Sequence, residues 1–365
     1  MNWFTRWINL QGLEVVTQPL SLPVPGMQED YIRTEGLNKL GWRLIRRKAY
    51  LVFSGQLDLL REKADPRWKK GLWIYFRTAQ IGDSLMDLAA RNFFVRHGCS
   101  VDLLCHDSLT HLFHDDEWFH TITSNADSLN PNDYDFVIVQ SVHHRALKDK
   151  VKYFKSKPWL CMQGYYDVPD FARGPWGAQR LMDFWMVSDR SEIVELGTQK
   201  LARRNLVPIK KKSIPLTIVL GGMDPVRTYP YWHEVLSQLA KSVQCEVTLI
   251  GIGESATLAS QEIEQLNLNL SITNFVNKLS LQDCIDVLAQ TQVLLVADGG
   301  AMHLAVTVQV PSMVSLFIKG IPPLLRIPEA YHENTVVSAT GFVRDIDVQK
   351  IVERTFLALT NSSSR

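Results

Sequence analysis

Two glycines between an apolar run and a helical segment form the part of this sequence best suited to bind a phosphate. We predict a strand at 293–297 and a helix at 301–308, and the residues of the turn are Asp298, Gly299, Gly300, Ala301 and His303. Glycines let a phosphate approach the backbone, and the N–H groups and dipole of a helix start favour a diphosphate. His303 would donate to a phosphate or sugar oxygen. Because Asp298 has the wrong charge for phosphate, we expect it to cap the helix or hold a sugar or ribose hydroxyl. A tight, capped turn without a ligand explains the pattern equally well.

Asp83 is the second candidate for chemistry, because it follows the first strand-like run of the chain at 73–76. A carboxylate at the carboxyl end of a strand could act as general base toward a hydroxyl group. It could equally cap the helix that we predict at 84–97. The letters at 82–85 also spell the nucleophile block of GDSL hydrolases, in which Ser84 would attack an ester. The Asp-x-x-His that would activate this serine occurs nowhere in the sequence.

Two loops after strand-like runs carry weaker signals. Arg227 follows the run and glycines that end at Gly222, and it could bridge to a diphosphate at the neighbouring turn. Without such a neighbour it is a surface arginine. The segment 251–256 fits the dinucleotide fingerprint G-x-G-x-x-A, but the acid expected about twenty residues later is missing. A tight turn is therefore the favoured interpretation of that segment.

Histidines and acids gather in one loop-like stretch, as they would in a metal site. Their spacing matches no strong ligand pattern, so we predict a solvated loop and no metal. The residues are His111, His114, Asp115, Asp116, Glu117 and His120.

The pattern that positions these residues is an alternation of short apolar runs and helical segments from Gly71 onward. It predicts βαβ units and parallel sheets. The alternation is interrupted by a segment at 169–177 rich in proline, glycine and aromatic residues, a helical segment at 191–205 and three lysines at 210–212. We interpret these together as a crossover between domains, after which the alternation restarts at 216. A chain of 365 residues exceeds one hydrophobic core. We predict an α/β protein with an N-terminal extension at 1–70, Rossmann-like domains at 71–205 and 206–345, and a helix and tail at 346–365.

Composition and charge exclude several classes of protein. A formal charge of +1 is not that of a nucleic-acid-binding protein, and 46% hydrophobic residues exclude wholesale disorder. The five cysteines are scattered without a CxxC pair, which favours a reducing compartment. No run approaches the roughly 18 to 20 apolar residues that cross a bilayer, and no signal peptide is recognisable. We expect a cytoplasmic protein.

A basic helix is predicted at 31–61. Its cations are Lys39, Arg43, Arg46, Arg47 and Lys48, with apolar residues between them. Such a helix could lie on the anionic inner face of a membrane as a peripheral contact. Alternatively, it packs on the neighbouring domain and leaves a solvated basic edge.

Four segments, taken in chain order, resemble the family 9 glycosyltransferases, the heptosyltransferase family of bacterial lipopolysaccharide core assembly. Residues 76–83 are similar to the first strand and "iGD" loop of that family, and residues 274–281 to its "n-l-x-G-k-x-s-l" stretch. Residues 220–230 resemble its loop with a Lys-x-Trp-Pro element, here with Arg227 and Tyr229 substituted. Residues 298–305 and 310–311 resemble its Asp-Ser/Thr-Gly-x-x-His-x-Ala signature and later proline, with Gly299 replacing the hydroxyl residue.

The resemblance implies a GT-B fold, in which two Rossmann-like domains face a central cleft, and an inverting transfer without metal or other cofactor. A nucleotide-diphosphate donor of heptose or of a hexose, with ADP-heptose the family default, would occupy the C-terminal domain. A lipopolysaccharide or lipooligosaccharide core acceptor would lie mainly on the N-terminal one. Asp83 corresponds to the proposed base, and the donor-binding positions are Gly222, Arg227, Asp298, Gly299, Gly300, Ala301 and His303. A GDSL esterase using Ser84, or an inactive protein that binds sugar nucleotides or membranes, remains an alternative.

Overall fold

The computed structural model describes residues 36–75, 80–140, 144–162, 172–202, 214–222, 224–266 and 268–363. The chain forms two compact units. The first contains Met1–Ala79 and Met86–Arg204, and the second contains Gln80–Leu85 and Asn205–Arg365. The short segment Gln80–Leu85 therefore belongs by its contacts to the second unit, although its neighbours in sequence belong to the first.

The first unit is built on a parallel sheet. Within its described residues the strands are β1 Lys70–Ile74, β2 Ser100–Leu104, β3 Ile122–Thr123, β4 Phe136–Val139 and β5 Trp159–Cys161. They are ordered β3-β2-β1-β4-β5, and every pair is parallel. The continuous apolar runs of β1 and β4 are buried, as expected for central strands of a parallel sheet.

Seven α-helices are described between residues 37 and 196, and they differ from the predicted helices at several places. They are α1 Leu37–Phe53, α2 Ile81–Asp87, α3 Asn92–Arg96, α4 Asp107–Phe113, α5 His144–Tyr153, α6 Arg173–Phe184 and α7 Ile193–Leu196. The helix predicted at 84–97 begins three residues earlier and is interrupted by a 3-10 turn, Ala89–Arg91. At the interruption, the buried Arg91 pairs with Asp116 and donates to the Leu88 carbonyl at 3.0 Å.

Part of the predicted crossover is helical, because α6 begins at Arg173 within the segment 169–177, of which residues 169–171 lie outside the described residues. Pro175 lies in the first turn of this helix, where a missing N–H costs little. Of the helix predicted at 191–205, residues 203–205 lie outside the described residues, and the only α-helix in 191–202 is α7, whose C-cap is Gly197. A Cβ at Gly174 would lie 2.0 Å from the Gly197 carbonyl oxygen, so the close approach of the two backbones requires glycine.

The second unit contains a second parallel sheet. Its described strands are β6 Ile214–Leu220, β7 Glu246–Gly251, β8 Ser271–Asn274, β9 Thr291–Ala297, β10 Ser312–Phe317 and β11 Val336–Val337. The order is β11-β10-β9-β6-β7-β8. The chain thus adds strands on one side of β6 and then returns to the other side with β9. The α/β class and the two parallel sheets that the sequence predicts are confirmed.

Helices alternate with the strands of this second sheet. They are α8 Trp232–Leu239, α9 Glu254–Glu264, α10 Leu281–Gln290, α11 Gly300–Thr307 and α12 Val348–Ser363. On α12, Ile351, Ala358 and Leu359 lie in the hydrophobic core of this unit. Short 3-10 helices complete the two units at Ala126–Ser128, Pro131–Asp133, Pro225–Arg227, Pro323–Leu325, Glu329–Asn334 and Val343–Asp345.

Residues 31–35 of the predicted basic helix lie outside the described residues. Across the part of the chain that the structure does describe, no helix combines the length and apolar character needed to cross a membrane.

Candidate functional site

The carboxyl ends of β6 and β9 lie side by side at the point where strand order reverses. Leu216 pairs with Val293 and Ile218 with Leu295, so both strands end at the same edge of the sheet. Open α/β sheets bind their ligands at such a switch point. The structure brings the predicted donor-binding residues to the loops that follow these two strands, namely Gly222, Arg227, Asp298, Gly299, Gly300, Ala301 and His303.

An ion pair joins these two loops. Arg227 Nη1 lies 3.2 Å from Asp298 Oδ2, and Arg227 Nε lies 3.7 Å from Asp224 Oδ2. The side chain of Asp298 is 3% exposed and that of Arg227 is 33% exposed. The guanidinium is thus held against a buried carboxylate while part of it remains accessible at the edge of the sheet.

Asp224 also helps to position Arg227, although no sequence motif singled it out. Its side chain accepts a hydrogen bond of 3.1 Å from the Val226 N–H and caps the 3-10 helix that ends at Arg227. The signal was present in the sequence, because aspartate before proline is a typical start of such a helix. Asp224 therefore fixes the loop that carries Arg227.

Tyr229 supports the same loop through buried contacts. It is 1% exposed, donates to the Ile346 carbonyl at 3.2 Å and packs edge to face on Trp232. Burial raises the pKa of Tyr229 well above its usual value, so the phenol stays protonated and donates. Tyr229 stands at the tryptophan position of the motif that this loop resembles. We assign it the role of supporting the loop.

The predicted capping role of Asp298 is wrong. The N-cap of α11 is Gly299, which has no side chain to cap the helix, and Asp298 lies one residue before it. The Asp298 side chain pairs with Arg227 across the switch point, and its backbone N–H donates to Leu316 on β10 at 2.9 Å. The interactions of Asp298 therefore orient Arg227 and join β9 to β10.

The fold does not require a glycine at position 299. Its φ of 172° is extended backbone that any residue adopts. A Cβ built there would meet only the Ala297 carbonyl oxygen, at 3.8 Å. A hydroxyl side chain would fit, so the absence of one at this turn is not a consequence of packing.

The segment Gln80–Leu85 packs on the same turn within the second unit. A Cβ at Gly82 would lie 2.5 Å from Cδ2 of His303, and a Cβ at Gly300 would lie 3.5 Å from Cβ of Ile81. The His303 side chain is buried, and its ring occupies the space that any side chain at position 82 would need. Gly82 is therefore the residue that allows this segment to approach the α11 turn.

Asp83 is next to Gly82 and lies half-buried in the first turn of α2. Because α2 begins at Ile81, Asp83 is inside the helix, and the prediction that it caps a helix starting at Ser84 is wrong. The structure thus places this carboxylate on a segment held against the turn that carries His303.

Ser84, the nucleophile of the esterase alternative, is fully buried. Its hydroxyl donates to the Ile81 carbonyl at 2.8 Å, a bond within its own helix. A serine nucleophile instead needs an exposed hydroxyl that donates to a base. The geometry does not support Ser84 as a nucleophile.

The G-x-G-x-x-A segment serves packing, in agreement with its interpretation as a tight turn. Gly251 has a φ of 153°, and a Cβ there would lie 2.3 Å from the Leu220 carbonyl oxygen. The Gly253 N–H donates to the side chain of Asn277 at 2.8 Å. Asn277 itself has a φ of 57°, which asparagine tolerates better than most residues, and it stands where the resembled motif has glycine.

The stretch of histidines and acids is not entirely the solvated loop that the sequence predicts, because His111 lies in α4 and the Asp116 side chain is buried. Asp116 pairs with the buried Arg91, and His120 Nδ1 lies 3.0 Å from Asp102 Oδ1. In the described ranges, no group of three His, Cys, Asp or Glu side chains is placed to hold a metal ion.

Comparisons with known proteins agree with this fold. Residues 194–350 match the family model described as Glycosyltransferase family 9 (heptosyltransferase), which confirms the resemblance stated from the sequence. A search of curated proteins found no match.

Several solved structures resemble the chain, and in two of them nearly the whole of the solved protein is matched. A glycosyltransferase of family 9 from Veillonella parvula is 11% identical with a TM-score of 0.61, over 82% of this chain and 100% of that one. ADP-heptose lipopolysaccharide heptosyltransferase II from E. coli is 16% identical with a TM-score of 0.59, over 81% and 99%. The iron-containing dodecameric glycosyltransferase TibC of enterotoxigenic E. coli is 13% identical with a TM-score of 0.50, over 84% and 80%.

Proposed function

We propose that this glycosyltransferase, whose residues 194–350 match the family 9 model, moves a heptose or a hexose from a nucleotide-diphosphate donor to a lipopolysaccharide core or similar glycan. The observation that carries the proposal is the Arg227–Asp298 ion pair across the ends of β6 and β9. It provides a held cation beside a helix start, at the edge where α/β sheets bind ligands.

The donor diphosphate is proposed to lie at the start of α11. The N–H groups of Gly299, Gly300 and Ala301 with the helix dipole would bind its oxygens there, and Arg227, held by Asp298, would donate charge-assisted hydrogen bonds to them. Arg227 Nη1 is closest to Asp298 and Nε to Asp224, so Nη2 is the guanidinium nitrogen that we assign to the ligand. E. coli heptosyltransferase II, named for ADP-heptose, supports a donor of this class.

The transfer is proposed as a single displacement that inverts the anomeric carbon. Asp83 would accept the proton of the acceptor hydroxyl as that oxygen bonds to the anomeric carbon. The bond from this carbon to the diphosphate would break, and Arg227 and the amides of the α11 turn would stabilise the departing charge. Because this cation and these amides meet the developing charge, the proposed step includes no metal ion, whereas TibC is described as iron-containing.

The acceptor and the place of action belong to the same proposal. A lipopolysaccharide core is linked to lipid, so we propose a cytoplasmic enzyme that works at the inner face of the membrane. The alternative of an inactive binding protein predicts donor binding without turnover, which the same assays would distinguish.

Thermal unfolding with a panel of nucleotides and nucleotide sugars tests the donor class. A ligand at 100 times its Kd stabilises the folded state by about 2.7 kcal/mol, so the true donor raises Tm by several degrees. We expect nucleoside diphosphates and their sugar esters to act in this way, and free sugars to have no effect. The proposal fails if no nucleoside diphosphate or nucleotide sugar shifts Tm and the protein instead hydrolyses simple esters.

A further inference from the structure

The helix α1 presents an apolar face to solvent. Trp42 is 71% exposed, Phe53 90%, Val52 53% and Ile45 45%. At 3.6 residues per turn, these four side chains lie within about 100° of one another around the helix axis. Exposed large apolar residues are unremarkable when they are scattered, but a contiguous stripe of them marks a surface that binds a partner.

The opposite face of α1 is fixed to the first unit. Leu51, about 180° from Trp42 on the helix, is fully buried in the core that contains Leu72 and Val137. After the helix, the Trp159 indole N–H donates to the Gln56 carbonyl at 2.9 Å, and the Gln56 amide donates to the Lys155 carbonyl at 3.1 Å. The buried Lys150 ammonium donates to the Gln56 side chain as well. The apolar stripe is therefore held outward and does not fold back onto this core.

Cations flank the stripe on both sides. Arg46 and Lys39 follow Trp42 around the helix, and Lys48 lies next to Val52 on the other side, and all three are exposed. The seventeen residues of α1 contain five basic residues and no acidic one, whereas the whole chain has a formal charge of only +1. The basic character of the chain is concentrated on this helix.

Charge also decides between partners for this face. A second copy of the chain in a two-fold contact would bring five further cations against these five, which is unfavourable. An anionic phospholipid surface complements the cations, and its interfacial region accepts the tryptophan and phenylalanine rings.

We infer that α1 is a membrane-docking helix whose Trp42, Ile45, Val52 and Phe53 side chains enter the headgroup region of an anionic bilayer, with Lys39, Arg46 and Lys48 at the lipid phosphates. Helix α1 is then the surface through which the proposed function makes its membrane contact, because a lipid-linked acceptor has to be reached at a bilayer. Docking itself needs no sugar transfer, so its failure and a failure of the proposed activity are measured separately.

Co-sedimentation of the full chain with vesicles tests the inference. We expect binding to vesicles of phosphatidylcholine with phosphatidylglycerol, weaker binding to phosphatidylcholine alone, and loss of the difference at high salt. The double variant Trp42→Ser/Phe53→Ser should reduce partitioning by about tenfold or more, because two large apolar side chains no longer leave water. Its Tm should stay within a few degrees of the parent, since both side chains are exposed.

The matched control replaces two exposed apolar residues elsewhere, Val194→Ser/Leu258→Ser, which are 73% and 55% exposed. It should sediment with vesicles as the parent does. The inference is overturned if the parent does not bind anionic vesicles at low salt, or if the α1 variant binds as well as the control. It is also overturned if the parent is a dimer that Trp42→Ser/Phe53→Ser dissociates, because the face would then be an interface between copies.

Discussion

Replacing Asp83 by asparagine lowers the rate of sugar transfer by about 10²- to 10⁴-fold and leaves donor affinity nearly unchanged. The amide keeps the shape of the carboxylate but cannot accept a proton from the acceptor hydroxyl. Asp83 follows Gly82, whose backbone packs on the His303 ring. Because the substitution changes only the side chain of Asp83, we expect the donor site to keep its geometry while the transfer rate falls. The measurement is the initial rate of transfer with saturating donor, with donor binding determined separately by calorimetry.

Ser84→Ala is the matched control for Asp83→Asn, because the two residues are adjacent in α2. The Ser84 hydroxyl only donates to a carbonyl of its own helix, so its removal should leave transfer within about twofold of the parent, a difference of less than 1 kcal/mol. Transfer at the parental rate in Asp83→Asn would remove the base assignment. Loss of transfer in Ser84→Ala, with Tm unchanged, would revive the esterase alternative.

Replacing Arg227 by alanine weakens donor binding by about 10- to 100-fold, since a hydrogen bond to a charged group contributes about 1.5 to 3 kcal/mol. The loss should be large for nucleoside diphosphates and their sugars and small for a nucleoside, which has no phosphate. It should also leave the buried Asp298 carboxylate without its guanidinium, so a lower Tm is expected in addition. Calorimetric titration of the donor into each variant gives the affinities.

Two variants separate charge from geometry at this position. Arg227→Lys keeps the charge but loses the planar fork that pairs with Asp298 at 3.2 Å, so we expect an intermediate affinity. Arg344→Ala removes an exposed arginine of the same unit that lies over the Phe342 ring, and it should bind donor as the parent does. Equal affinity of Arg227→Ala and Arg344→Ala would show that Arg227 does not bind phosphate.

The elements that carry the site could be predicted from the sequence because their signals are local. The strand β9 is a continuous apolar run followed by two glycines and a helix, and the structure has those elements within one or two residues of the predicted ends. The short strands β3 and β11 were missed, because two residues carry no periodicity.

What could not be predicted depends on contacts between distant segments. Nothing near Gly82 indicates that His303 fills the space beside it, so the grouping of Gln80–Leu85 with the second unit had no local signal. Asp298 is a second example. A local sequence rule predicts that it caps a helix, but in the structure its side chain forms an ion pair with the distant Arg227.

The central claim is that a nucleotide sugar binds where β6 and β9 end, and hydrogen exchange with and without donor tests it most directly. The donor should slow exchange at residues 220–222 and 224–228 and at 297–303, because binding there opposes local opening of both loops. Arg227→Ala should reduce this protection at a given donor concentration, whereas Arg344→Ala should retain it. Protection confined to the 251–256 turn, or no protection at 297–303 with saturating donor, would contradict the account.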